Sequence, residues 1–321
     1  MDVMQKNMMV FTGRSNPALA EKIAAELGVE LGDVRLETFA NGEIYARYMQ
    51  SVRGADVFII QSIAGQVNDT LMETLIMADA AHRASARTVT AVITHYGYAR
   101  QDKKSASREP ITAKLVANLY EAAGVDRVIA IDLHQGQIQG FFDIPVNHFT
   151  ALPVFADHFA AKKMDNLCVV SPDVGRAKAA KKLSDLLNCD LAIMAKNRPE
   201  HNKAEVSEVI GNVVGKNCIV NDDMIDTAGT ICASMAALKE AGAASIHVCA
   251  THGLLSGPAF ERIQNSVCDE VVVTDTVPVP QSYIDGGKIK VISVAPLLAH
   301  AIRNVYEEKP VSDFFDPDFQ L

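Results

Sequence analysis

Cys218-Ile219-Val220-Asn221-Asp222-Asp223-Met224-Ile225-Asp226-Thr227-Ala228-Gly229-Thr230 is the stretch from which the fold reads most directly. Its first three residues form an apolar run of the kind buried on both faces of a parallel sheet. After Thr227 the apolar residues fall at helical spacing, which predicts a helix over 228–241. A strand that turns directly into a helix is one βα unit. The turn carries two adjacent acids, Asp222 and Asp223, and then the small and hydroxylic residues Asp226, Thr227, Ala228, Gly229 and Thr230. Exposed N–H groups at a helix start, together with the helix dipole, favour a phosphate. An acid pair is suited to hydrogen-bond two neighbouring hydroxyls of a sugar. In doubly wound sheets ligands bind beyond the carboxyl ends of strands, so this turn is expected at a sugar-phosphate site.

The same rhythm extends in both directions. Strands are predicted at 8–11, 56–61, 88–93 and 126–133, with helices from Asn16-Pro17, over 67–83 and over 111–123. The second half repeats it, with strands at 167–170, 191–194, 218–220, 245–250, 270–274 and 288–292, and helices near 175–187, 228–241, 258–264 and 296–306. Two doubly wound α/β domains with mostly parallel sheets follow, at 1–148 and 149–301, joined through 146–153. The last residues, 302–321, are a candidate to pack back on the first domain. A chain of 321 residues fits that count.

Composition excludes several classes of function. With 39 acidic against 30 basic residues, the net charge is −9, against the basic field of a general nucleic-acid or anionic-membrane binder. No apolar run approaches the ~20 residues that span a bilayer. The start, Met1 to Lys6, has no apolar leader. The six cysteines form no CxxC pair and all follow residue 167, which predicts reduced thiols in a cytoplasmic protein.

Three further loops follow predicted strands. Asp132-Leu133-His134-Gln135 and Ser171-Pro172-Asp173-Val174-Gly175-Arg176 each offer one metal-ligating side chain, His134 and Asp173. Mg²⁺ commonly takes few protein ligands and completes its shell with waters and phosphates. Arg100-Gln101-Asp102-Lys103-Lys104, running on to Pro110, reads as a polar, mobile, cationic loop. Lys196 and Arg198 stand two apart, so in an extended segment they point the same way and suit a polyphosphate. Together these loops suit transfer between a nucleotide polyphosphate and a ribose phosphate. No nucleophilic triad, thiol dyad, Walker A sequence or GxGxxG competes.

The ordered set of motifs resembles the ribose-phosphate diphosphokinases, or PRPP synthetases, of the phosphate-activated class, over nearly the full chain. Its markers are Phe39-Ala40-Asn41-Gly42-Glu43, Gly97 to Asp102, Asp132-Leu133-His134, Gln137 to Asp143, Ser171-Pro172-Asp173 and Asp222 to Thr230. The resemblance implies two domains of the type I phosphoribosyltransferase fold. It implies transfer of the β,γ-diphosphoryl group of ATP to the C1 hydroxyl of ribose 5-phosphate. Carried over, Phe39, Asn41, Gly42 and Glu43 serve adenine from a neighbouring subunit, and Arg100, Gln101 and Asp102 contact ATP. His134 and Asp173 bind Mg²⁺, and Lys196 and Arg198 stabilise the reacting phosphates. Arg198, Asp222, Asp223 and Asp226 to Thr230 hold ribose 5-phosphate. A homo-hexamer built from dimers, with phosphate and ADP as effectors, is implied as well.

Some residues depart from the family pattern. Asn41 stands where many members have Asp, Arg176 replaces the second Gly of Pro-Asp-x-Gly-Gly, and Ser105-Ala106-Ser107 lowers the charge of its loop. Two alternatives share the fold: a non-catalytic, synthetase-associated regulatory subunit, and a phosphoribosyltransferase that consumes PRPP. The second would not need the cationic ATP elements.

Overall fold

The computed structural model describes residues 7–197 and 206–311. These divide into two compact units: the described residues up to Thr150 together with those from Ser293 onward, and Ala151–Ile292.

The first unit opens with β1 (Met8–Thr12) and α1 (Pro17–Leu27). Asn16 caps α1 by accepting the Leu19 N–H, and Pro17 needs no partner at the first position. A hairpin, β2 (Val34–Thr38) and β3 (Ile44–Tyr48), forms its own antiparallel pair. Then come β4 (Asp56–Ser62), α2 (Val67–Arg83), β5 (Thr88–His95), α3 (Thr112–Ala122), β6 (Arg127–Ile131) and β7 (Val146–Phe149). The main sheet is wholly parallel, in the order β1-β4-β5-β6-β7. Every residue of β4 is buried, as a continuous apolar run covered on both faces requires.

The second unit holds α4 (Leu152–Ala160), β8 (Leu167–Ser171), α5 (Ala177–Leu186), β9 (Asp190–Asn197), β10 (Val206–Ile210) and β11 (Asn217–Ile225). It continues with α6 (Gly229–Glu240), β12 (Ser245–Gly253), α7 (Ala259–Gln264), β13 (Glu270–Thr274), α8 (Gln281–Asp285) and β14 (Ile289–Ile292). Its sheet runs β10-β9-β8-β11-β12-β13-β14, parallel except for the β10 edge. The final helix, α9 (Ala295–Tyr306), belongs to the first unit and packs on α1, where Arg303 Nη2 donates to the Glu26 carbonyl at 2.8 Å.

Several boundaries move. β11 extends through Asp222 and Asp223 to Ile225, because β12 supplies partners as far as His252 and Gly253. The acid pair therefore lies on the strand, and the turn begins only at Asp226. β9 likewise takes in Lys196 and Asn197, whose backbones pair with Ser207 and Val206 of β10. The stretch read as a crossing, 146–153, is a strand followed at once by the start of α4. The hairpin strand β2, the edge strand β10 and the short α8 were not anticipated.

Candidate functional site

The charged loops lie beyond the carboxyl ends of parallel strands, which is where a doubly wound sheet leaves backbone and side chains open to a ligand. In the second unit β8 and β11 are neighbours, so their loops rise side by side. After β8, Asp173 caps a short helical turn by accepting the Arg176 N–H at 2.9 Å, and Ser171 Oγ donates to the Asp173 carbonyl at 2.6 Å. Asp173 is exposed, and its second oxygen has no partner among the described residues. Arg176 Nε reaches to 3.8 Å from Asp222 Oδ1, and is itself buried without a hydrogen bond. The departure at position 176 thus sets a cation against the acid pair.

Asp223 is 3% exposed. Its N–H donates to Asp222 Oδ1 at 2.8 Å. Burial first, then the neighbouring Asp223 carboxylate, pushes the Asp222 carboxyl up from 3.8 to about 7, while Arg176 opposes the rise. A carboxyl whose folded value lies above its unfolded one stabilises the fold while protonated. That contribution is complete below about pH 4 and is lost as pH rises through about 7. Asp222→Asn removes the titration. Thermal unfolding from about pH 5 to about pH 8 is expected to show the Asn variant gaining on wild type as pH rises. A gap independent of pH would mean Asp222 is ionised throughout.

The turn after β11 is the one whose sequence suits a phosphate. Ala228 is left-handed, with φ 59° and ψ 9°, and α6 begins immediately after it. The Asp226 carbonyl accepts from Ser256 N at 2.9 Å, and the Thr227 carbonyl accepts from Arg262 Nη1 at 2.9 Å. Neither Ser256 nor Arg262 carries a sequence signal; they lie about 30 residues downstream and reach the turn only because β12 pairs with β11. The side chains of Lys196 and Asn197 are left undescribed, and Arg198 lies outside the described residues.

In the first unit β5 and β6 are neighbours. After β5, Gln101 is fixed from α3: Ala113 N donates to its carbonyl at 3.1 Å and Thr112 Oγ1 to its side chain at 2.5 Å. Arg100 is exposed and Asp102 is 7% exposed. Beyond them Glu109 accepts the N–H groups of Ser105 and Ala106 at 2.7 and 2.8 Å, which gives this loop a defined turn. After β6, Asp132 adopts φ 40°, and Leu133 N donates to His148 Nε2 at 2.9 Å, so His148 braces the turn that presents His134.

The β2–β3 hairpin tip holds the remaining predicted residues. Asn41 Oδ1 accepts from Glu43 N at 3.2 Å, and Gly42 takes φ 91°, which favours glycine. Phe39 is 48% exposed beside Tyr45. The hairpin base is tied down by a residue the sequence did not single out. Arg14 Nη1 donates to Thr38 Oγ1 at 3.0 Å, and the same guanidinium is ion-paired with buried Glu73.

A parallel sheet whose strand carries paired acids into a hydroxyl-rich turn at a helix start defines the phosphoribosyltransferase type of α/β fold. Two family models match. The N-terminal domain of ribose phosphate pyrophosphokinase matches residues 8–124, and the phosphoribosyl synthetase-associated domain matches 187–316. The chain is 53% identical over 311 residues to a ribose-phosphate pyrophosphokinase of Caldanaerobacter subterraneus, covering 96% of this chain and 98% of that one. It is 52% identical over 313 residues to that of Bacillus caldolyticus, covering 97% and 99%. The crystal structure of phosphoribosylpyrophosphate synthetase from Mycobacterium smegmatis superposes with a TM-score of 0.89 at 46% identity, over 94% of this chain and all of that one. The chain belongs to the ribose-phosphate pyrophosphokinase family.

Proposed function

We propose that the protein transfers the β,γ-diphosphoryl group of ATP to ribose 5-phosphate, giving 5-phosphoribosyl 1-diphosphate (PRPP) and AMP. The observation that carries this reading is the acid pair Asp222-Asp223 running into the left-handed turn at the start of α6, in a chain related to ribose-phosphate pyrophosphokinases over its whole length. The C1 hydroxyl oxygen attacks the β-phosphorus. The bond from that phosphorus to the α-bridging oxygen breaks, AMP leaves with the electron pair, and the hydroxyl proton is released. Such a transfer needs positioning and stabilisation of charge more than covalent chemistry.

In this reading Asp222 and Asp223 accept the sugar hydroxyls, and the N–H groups and hydroxyls of Asp226 to Thr230 take the 5-phosphate. Arg100, Gln101 and Asp102 bind ATP, while Lys196 and Arg198 stabilise the charge that grows on the transferred group. Phe39, Asn41, Gly42 and Glu43 reach the adenine of a neighbouring subunit; the exposure of Phe39 supports this, since the ring does little for its own core. A homo-hexamer built from dimers, with phosphate and ADP as effectors, belongs to the same reading.

In the same reading Mg²⁺ is the ion, with His134 of the first unit and Asp173 of the second each proposed as a ligand. Mg²⁺ commonly takes few protein ligands and completes its shell with waters and substrate phosphates. Bound there, the ion would neutralise polyphosphate charge. A cytoplasmic location is supported by six free cysteines, four of them buried. Among the described residues no helix is long and apolar enough to cross a membrane.

Incubation of the purified protein with Mg²⁺, ATP and ribose 5-phosphate is expected to yield AMP and PRPP on chromatographic separation. ADP with a bisphosphorylated sugar would show an ordinary kinase. Absence of turnover would favour the regulatory subunit.

A further inference from the structure

The proposed phosphate turn is held from outside by one short segment. Asp226 offers its carbonyl to the Ser256 N–H, and Thr227 offers its carbonyl to Arg262 Nη1, both at 2.9 Å. In a trans peptide the C=O and N–H point in opposite directions. Fixing the Thr227 carbonyl on Arg262 therefore turns the Ala228 N–H to the opposite side of the chain, and the Ser256 contact does the same for the Thr227 N–H. Each of these two successive N–H groups is thus turned away from the carbonyl that is held, and successive N–H groups that share one side of a turn bind anions in backbone concavities. The peptide fixed by Arg262 is the one that leads into left-handed Ala228. A residue with a β-carbon keeps that conformation only where its surroundings hold it. Arg262 Nη1 also lies 3.4 Å from where a β-carbon on Gly229 would stand, so the guanidinium lies directly against the turn.

We propose that Arg262 is the positioning residue of this turn: it holds Ala228 left-handed through the Thr227 carbonyl and so aims the Ala228 N–H at the 5-phosphate. The proposal rests on the reading of Asp226 to Thr230 as the ribose 5-phosphate site, and it assigns to α7 a role that no motif in the sequence marks.

Calorimetric titration of the full-length protein with ribose 5-phosphate, and separately with ATP, tests it. Arg262→Ala is expected to weaken ribose 5-phosphate by about tenfold, the scale of one charge-assisted hydrogen bond, and to leave ATP within about twofold. Arg262→Lys, which keeps a donor, recovers most of the loss. Ala228→Gly combined with Arg262→Ala loses less than the two changes separately predict, because glycine adopts the left-handed conformation without the brace. If Arg262→Ala fails to fold, Arg262→Gln is measured in its place.

Equal affinity of wild type and variant for ribose 5-phosphate overturns the proposal. So does an equal loss for both ligands, which marks general damage, and so does strict additivity with Ala228→Gly, which marks direct contact with the ligand. Wild type that fails to bind ribose 5-phosphate defeats the underlying reading and the proposal together. Wild type that binds, with a variant that binds equally well, defeats the proposal alone.

Discussion

Lys196→Ala is expected to lower kcat by about 10²–10⁴-fold, the range for removing one preorganised stabilising group from a transferring centre. In the proposed transfer, negative charge builds on the leaving and nonbridging oxygens toward the transition state, and Lys196 is the residue proposed to answer it. Stabilisation confined to the transition state appears in kcat, with little change in KM. Lys196 sits near the end of β9, its backbone paired to Ser207 of β10, so the residue is carried on a strand end. Steady-state kinetics with both substrates varied is the measurement. A rise in KM alone would assign Lys196 to ground-state binding.

The second large effect concerns the divalent ion. Dialysis against a chelator is expected to abolish turnover, and Mg²⁺ to restore it. His134→Ala is expected to lose about 10²-fold or more at low Mg²⁺, with partial recovery as Mg²⁺ is raised. His134 follows a turn in which Asp132 takes φ 40° and Leu133 is bonded to His148. The imidazole is therefore delivered by a braced backbone. Undiminished turnover of the variant at low Mg²⁺ would remove His134 from the metal site.

The sequence carried the parallel cores plainly. Runs such as Asp56–Ser62 and Glu270–Thr274 are buried along their whole length, and continuous apolar character has no other economical reading. Turn chemistry was equally visible at Asn16-Pro17. Strand ends were not. Asn221, Asp222 and Asp223 look like loop residues, yet β12 offers a partner beside them, and pairing with a neighbour decides where a strand stops. The bracing groups were invisible for a related reason. Glu109, His148, Ser256 and Arg262 act through bonds to backbone atoms, mostly of distant segments, and a backbone atom leaves no trace in the pattern of side chains. The Arg100–Pro110 loop shows the cost. Nothing in its run of charges marks that one carboxylate, Glu109, accepts from two of its amides.

The placement of α9 has a consequence for synthesis on the ribosome. The apolar face of α1, with Leu19, Ala20, Ile23 and Ala24 buried, packs on a helix made at the other end of the chain. Ala151–Ile292 is, in chain terms, an insertion into the first unit. The first unit, begun before the second, is therefore completed after it. At ordinary elongation rates its α1 surface waits on the order of ten seconds for its cover, while the inserted unit has all its strands in hand earlier. Loss of α9 through premature termination would expose a surface belonging to α1. A nascent chain of this kind presents its N-terminal end to chaperones for longer than its middle.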